Sequence, residues 1–330
     1  MTRILMFALL AMLNPPVADA FAVNAQQFSA EACHPLATPR VVFATKSFQI
    51  MFSALPRSIV ALSAPDFGGH VKIRPMKSLF PPTGDLTADQ VDLAYAWPDL
   101  PWLRTNMVAS VDGAAQAPDG LSRGIANAAD TELFGMLRGR ADAIVVGAAT
   151  VRAEGYRPVR AKPRYSAARA MAGQRPAAVV AIVSRSLDLD VASELFTHSV
   201  ERPVILTTER SDQTARRQVT QFADVIVCGD KNVDLALALT ELRLRGLTWL
   251  HCEGGPSLLA QLAAADLVDE WCVTISPRLA GGSYPNGGSP SRMLAGAELP
   301  RAPADLALHR VLVASDTLFL TYGRPPTSLI

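Results

Sequence analysis

The chain has 330 residues, 49% of them hydrophobic and 18% charged, with a formal net charge of +1. That composition supports a sizeable core and excludes a disordered polymer, and the near-neutral balance excludes general attraction to nucleic acid or an anionic membrane. Four cysteines (Cys33, Cys228, Cys252 and Cys272) stand far apart with no Cys-x-x-Cys, which excludes a disulfide framework and leaves poor material for a zinc site, so no metal is expected.

In chain order, Arg3, the apolar run Ile4 to Leu13 and Val17-Ala18-Asp19-Ala20 have the layout of a secretory signal peptide, too short to span a bilayer. The alternative is a start placed too early, since Met51 and Met76 offer later ones. No period is sustained up to Arg74, so residues 1–75 are expected to be a poorly structured, dispensable leader. Residues 76–101 are expected to be a linker with a turn at Pro81-Pro82-Thr83-Gly84 and a short helix from Thr87 to Ala96, where Thr87 before Ala-Asp-Gln forms a capping box.

From Trp102 onward, apolar runs alternate with helical patterns. Strands are predicted at Leu103–Val111, Ala143–Val146, Ala177–Val183, Pro203–Thr207, Asp224–Cys228, Leu247–Cys252 and Glu270–Ile275. Between them fall helices capped by Asn127 and running to Arg140, then near Thr150–Glu154, Gln213–Phe222, Leu235–Arg245 and after Gly254-Gly255-Pro256. The charged stretch Arg160–Arg175 reads as a mobile basic loop, and Trp102, Trp249 and Trp271 read as packing residues. Leu306–Ala314 and Thr317–Tyr322 form a hairpin turning at Ser315-Asp316. This order predicts one three-layer αβα domain over residues 102–324, with a mainly parallel, mixed central sheet, a C-terminal β-hairpin and a tail at 325–330.

Three segments carry chemistry. Cys252-Glu253-Gly254-Gly255-Pro256-Ser257-Leu258 ends a strand and opens a helix, where paired glycines let an anion approach free N–H groups. An ordinary tight turn explains the glycines equally well, and neither a dinucleotide fingerprint nor a P-loop is present. Ala109-Ser110-Val111-Asp112-Gly113 puts a carboxylate at the same sheet edge, although Asp-Gly is also common turn chemistry. Val145-Val146-Gly147-Ala148-Ala149-Thr150-Val151-Arg152-Ala153-Glu154-Gly155-Tyr156 is a third strand-to-helix junction, which alone passes as helix capping.

Together, Ser-Val-Asp-Gly, Val-Gly-Ala-Ala-Thr-Val and Glu-Gly-Gly-Pro, in this order, resemble the reductase domain of the bifunctional riboflavin-biosynthesis deaminase/reductase and its stand-alone relatives, over Trp102 to Arg324. The resemblance implies a dihydrofolate-reductase-like fold, a homodimer, and NADPH-dependent reduction of 5-amino-6-(5-phosphoribosylamino)uracil to the ribitylamino product. It places the cofactor pyrophosphate on Gly255, Pro256, Ser257, Leu258, Leu259, Ala260 and Gln261, and further cofactor contacts on Val108, Gly124, Thr150, Glu154 and Ser184. Arg185 is the candidate for a 2′-phosphate. Ser122, Arg138 and Glu253 match substrate positions, with Arg138 facing the substrate phosphate, and Pro158 and Arg160 lie near a fourth, loosely aligned segment. Asp112 is expected beside the pyrimidine or the reacting imine, as a hydrogen-bonding or proton-relay group, with Glu253 as the second catalytic candidate.

The deaminase half of the bifunctional enzymes needs a Pro-Cys-x-x-Cys, which this sequence lacks. A reductase without deaminase activity is therefore expected, acting on a small phosphorylated pyrimidine. A pterin or another imine stays open as substrate, as does a nucleotide-binding protein without turnover. Because free NADPH is cytosolic, the expected location is cytoplasmic, with the signal-like N-terminus leaving export open.

Overall fold

The structure is a computed structural model that describes residues 75–284 and 288–325. The expected leader and nearly all of the tail lie outside the described residues.

The strands are β1 (Met76–Phe80), β2 (Gly84–Leu86), β3 (Trp102–Ser110), β4 (Ala143–Gly147), β5 (Val179–Val183), β6 (Val204–Thr207), β7 (Asp224–Val227), β8 (Trp249–Cys252), β9 (Glu270–Ser276), β10 (Ala307–Ala314) and β11 (Thr317–Gly323). The helices are α1 (Ala88–Ala94), α2 (Ala128–Arg140), α3 (Ala148–Glu154), α4 (Pro163–Met171), α5 (Glu194–Thr197), α6 (Gln213–Thr220), α7 (Leu235–Leu244) and α8 (Pro256–Ala264). All strands join one mixed sheet in the order β2-β1-β10-β11-β9-β3-β8-β4-β5-β6-β7. From β9 to β7 the pairing is parallel, and β11, β10, β1 and β2 add an antiparallel wing. The three-layer, mainly parallel architecture with a terminal hairpin is the one expected.

Helices cover the parallel half on both faces. Leu239 and Leu242 of α7 and Leu258 and Leu262 of α8 pack on Leu103, Val145 and Leu250. Leu133 and Leu137 of α2 close the other face over Cys272 and Phe319. On the antiparallel wing, one face carries three cross-strand apolar rows, all half-buried: Ile275–Leu318–Val313, Val273–Leu320–Val311, and Trp271 beside Tyr322.

Two expectations are corrected. The stretch 76–101 is more than a linker with a helix: it adds β1 and β2 to the sheet, and β1 pairs with β10 through Lys77–Val313. The helix itself is present, with the Thr87–Gln90 capping box. Further along, Arg160–Arg175 is no mobile loop, because it contains α4. Tyr165 and Ala168 bury there, and the buried Arg169 donates to the carbonyls of Gly139, Ala141 and Arg175. A cation in that position satisfies orphan carbonyls of neighbouring turns, so a basic residue acts as core.

Segment 87–104 is pinned from within. Arg104 is 1% exposed and donates to Glu270 at 2.7 Å and to the Tyr95 carbonyl at 2.9 Å. Its guanidinium lies 4.1 Å from the Trp97 ring centroid, and Trp97 stacks on Trp249 at 6.1 Å. The tryptophans at 102 and 249 are thus packing residues whose N–H groups are satisfied by Glu270 and the Pro98 carbonyl.

Candidate functional site

Where β3, β4 and β8 end, their loops and the first turns of α2, α3 and α8 enclose a cleft of about 580 Å³. A second cavity of about 440 Å³ continues it toward the ends of β5 and α8, and the two share Ala149, Thr150, Gly255 and Pro256. The joint is a narrow waist between two helix N-termini. Gly147 caps α3 and Gly255 caps α8, neither with a side-chain hydrogen bond, so the first-turn amides face the waist without helical partners. A side chain at Gly255 would meet the Thr150 hydroxyl at 2.5 Å, and one at Gly254 (φ +79°) would meet Met107 Sδ at 2.9 Å. The glycines are required here by close approach and by a left-handed backbone. An anionic, two-lobed ligand fits such a waist, and a dinucleotide is one.

Of the positions expected to hold the cofactor, Val108, Thr150, Glu154, Gly255 and Pro256 line the larger cleft. Ser184, Arg185, Ser257, Leu258 and Gln261 line the smaller one. Arg185 donates to Asn232 at 3.3 Å on its outer wall. Leu259 and Ala260 lie in the core on the far side of α8, because Ser257 and Gln261, four places apart, share the face toward the cavity and the helix turns these two away from it. Gly124 is also off the lining: its carbonyl accepts from Arg278, and any Cβ there would collide with Ala117 at 2.3 Å.

The expected substrate residues divide similarly. Ser122, Arg138 and Glu253 line the larger cleft, whereas Pro158 and Arg160 do not, and the same loop offers Tyr156 and Arg157 instead. Asp112 lies outside both cavities, exposed, accepting from the Ser110 hydroxyl at 2.5 Å and from the Ala280 and Gly281 amides at 3.1 and 2.8 Å. Those bonds lower its pKa to about 2. Its carboxylate fastens the loop after β9 to the end of β3.

Arg138 and Glu253, read separately in the sequence, hold each other. Arg138 donates through Nε and Nη2 to the two Glu253 oxygens at 2.6 Å each, a bidentate fork. The Tyr156 hydroxyl donates to the same carboxylate, and the Phe134 ring lies 4.3 Å under the guanidinium. Burial opposes ionisation of Glu253, but the Arg138 charge and these hydrogen bonds prevail and hold its pKa below the ordinary glutamate value. Burial, reinforced by the Glu253 charge, raises the Tyr156 phenol well above its usual range. His251 sits behind the pair, with Nε2 at 3.6 Å from Glu253, and burial pushes its pKa down to about 4, so the imidazole is neutral.

The lining residues that sequence reasoning missed include Asn106, Arg123, Asp130, Phe134 and Arg157, and Tyr156 was quoted there only as the end of a motif. The backbone of Asp130 serves the helix cap, its amide donating to the Asn127 side chain at 3.0 Å. Its carboxyl points elsewhere. Burial raises its pKa, and the Thr274 hydroxyl offsets only part of that.

Comparison with known proteins agrees with this geometry. The family model of the RibD C-terminal domain matches residues 101–302. A 2,5-diamino-6-ribosylamino-4(3H)-pyrimidinone 5′-phosphate reductase of Archaeoglobus fulgidus is 26% identical over 182 residues, covering 55% of this chain and 83% of the relative. The protein of the same name from Aquifex aeolicus is 32% identical over 179 residues, covering 52% of this chain and 75% of its own length. Among solved structures, a pyrimidine reductase-like protein from Corynebacterium diphtheriae superimposes with a TM-score of 0.60 at 27% identity, over 73% of this chain and 96% of that one. The matched span begins beside β3 and takes in both helix N-termini of the waist and the Arg138–Glu253 pair, and on that basis the chain belongs to the RibD C-terminal reductase domain family.

Proposed function

We propose that the protein reduces a ribosylaminopyrimidine 5′-phosphate of riboflavin biosynthesis to its ribitylamino product, using NADPH. The observation that carries this reading is the two-lobed cleft, whose waist suits a pyrophosphate and whose larger lobe holds a fixed ion pair beside an aromatic wall. When bound, the nicotinamide supplies the hydride that converts the opened, imine-like C1′ of the sugar to a methylene.

The chain's own residues orient and shield. The amides opening α3 and α8 take the cofactor pyrophosphate, and Ser184 and Arg185 flank the second lobe, where a 2′-phosphate distinguishes NADPH from NADH. In the larger lobe, Arg138 is committed to Glu253, so the substrate phosphate falls to Arg123 and Arg157, exposed arginines at the rim. The Arg138–Glu253–Tyr156 clamp fixes the wall between the two ligands, and such alignment is the main source of rate in hydride transfer between two bound partners.

The test follows NADPH absorbance with 2,5-diamino-6-ribosylamino-4(3H)-pyrimidinone 5′-phosphate, with its 2-oxo counterpart, and with dihydrofolate. Oxidation with a ribosylaminopyrimidine is expected, and NADH should serve less well. Arg157→Ala should raise KM roughly 10-fold with kcat little changed, since a phosphate contact contributes uniform binding. Oxidation with dihydrofolate alone would move the protein to pterin reduction, and silence with all three would refute turnover.

The apolar rows on the antiparallel wing support a homodimer in which a second copy covers that face. Sedimentation equilibrium should give twice the chain mass, and a monomer at micromolar concentration would remove this part of the reading.

A further inference from the structure

Behind the clamp stands a polar side chain that nothing described above uses. His251 is 0% exposed, and neither of its ring nitrogens has a hydrogen-bond partner among the described residues. The β8 ladder runs one residue past Cys252, where the Glu253 amide donates to the Val145 carbonyl at 3.0 Å, so His251 and Glu253 point to one face of the sheet. Phe134 of α2 packs on that face, its ring centroid 6.2 Å from that of the imidazole. Arg104, beside His251 in the β3–β8 register, is committed to Glu270 and to the Tyr95 carbonyl, and a cation offers no acceptor. The acceptor that His251 faces is the Glu253 carboxylate, 3.6 Å from Nε2. An unpaired buried imidazole costs stability that a leucine in the same place would not. A local rule broken in this way is the mark of a functional site.

We propose that His251 is a positioning residue for Glu253: its Nε2–H is a reserve donor that keeps the carboxylate ionised and in place when bound substrate draws the Tyr156 hydroxyl away. This rests on the functional reading above, in which substrate occupies the larger lobe that Tyr156 lines. Three donors hold Glu253, two from Arg138 and one from Tyr156. The phenol is the detachable one, because it can turn its single O–H to a ligand while the Arg138 fork stays closed. At 3.6 Å the imidazole is too far for a hydrogen bond. A shift of about 0.7 Å brings it to the usual N–H···O length, so the carboxylate steps back onto His251 instead of taking up a proton. Glu253 is faced by Arg138 of α2, Tyr156 beyond α3 and His251 of β8, and Arg104 of β3 and Glu270 of β9 act on the imidazole along the same face. Burial keeps the imidazole neutral, so it lends a donor without competing as a cation for the partner of Arg138.

Two variants separate positioning from packing. His251→Leu fills the space without a donor, and His251→Gln keeps an amide N–H near the place of Nε2. His251→Leu is expected to raise the melting temperature by a few degrees, since an unpaired polar group is gone. It should nevertheless lower kcat roughly 10-fold, the size of one hydrogen bond to a charged group, with KM for NADPH unchanged. The acid limb of its kcat profile should move to higher pH, because Glu253 loses a donor that favours the charged form. His251→Gln should recover most of kcat and return the acid limb. An unmoved acid limb in His251→Leu, or a loss that His251→Gln does not recover, would overturn the proposal. An NMR titration of the isotope-labelled Glu253 carboxyl, without substrate, gives a readout that needs no turnover: His251→Leu should raise its pKa and His251→Gln restore it. That pattern in a protein that turns over no substrate would refute the reductase reading and leave His251 assigned to Glu253. Normal turnover with no shift of the carboxyl in His251→Leu would do the reverse.

Discussion

Replacing Glu253 with glutamine is expected to lower kcat/KM by roughly 10²-fold while NADPH affinity stays near that of the wild type, because a displaced wall of the cleft costs about that much. The carboxylate accepts both arms of Arg138 and the Tyr156 hydroxyl. A neutral amide turns an N–H donor toward one of these donors, so the fork opens and the Arg138 and Tyr156 side chains lose their fixed positions. Glu253→Ala goes further and should also reduce stability by about 3 kcal/mol, near the low end for a broken buried pair, since the Arg138 side chain keeps 22% exposure and some water. Steady-state kinetics and thermal melts of the two variants separate the effects. Unchanged turnover in Glu253→Gln would take the clamp out of the mechanism.

Arg104→Met should cost about 3–5 kcal/mol of stability, the usual penalty for leaving one buried charge without its partner. Glu270 would lose its 2.7 Å bond to the guanidinium, and the Tyr95 and Ala96 carbonyls would lose donors as well. Burial opposes ionisation of Glu270, and Arg104 with its hydrogen bond outweighs that and holds the pKa down. The double replacement Arg104→Met with Glu270→Leu should recover much of the loss, because a packed apolar pair avoids desolvating two ions. Urea denaturation of both single variants and the double variant measures this coupling. A single-variant loss under about 1 kcal/mol would show that water reaches the pair.

The inner strands β4, β5, β6 and β8 were legible because each is a largely apolar run buried on both faces and closed by a turn. β1 was not: Met76-Lys77-Ser78-Leu79-Phe80 buries only alternate residues, and its partner β10 comes far later in the chain. Helix α4 was hidden by its charges, since only the fold reveals the carbonyls that Arg169 satisfies. In the site, glycines and helix starts announced the waist, because local chain geometry alone demands them. The partnership of Arg138 with Glu253 is tertiary, spanning 115 positions, so each residue was placed in the cleft while their mutual engagement was not visible. Asp112 looked catalytic for the opposite reason. A carboxylate at a strand end invites a ligand, and here two loop amides of the same chain occupy it.

The sheet order also dictates a sequence of events as the chain leaves the ribosome. Strands β3 to β8 and helix α7 can assemble from residues already made, but the β1–β2 pair has no sheet edge to join until β10 exists, and β10 hangs on β11. Met76, Val91 and Tyr95, all buried at the end, therefore wait through most of synthesis for the cover of Leu312 and Phe319. The earliest-made part of the described chain is the last to be held in place.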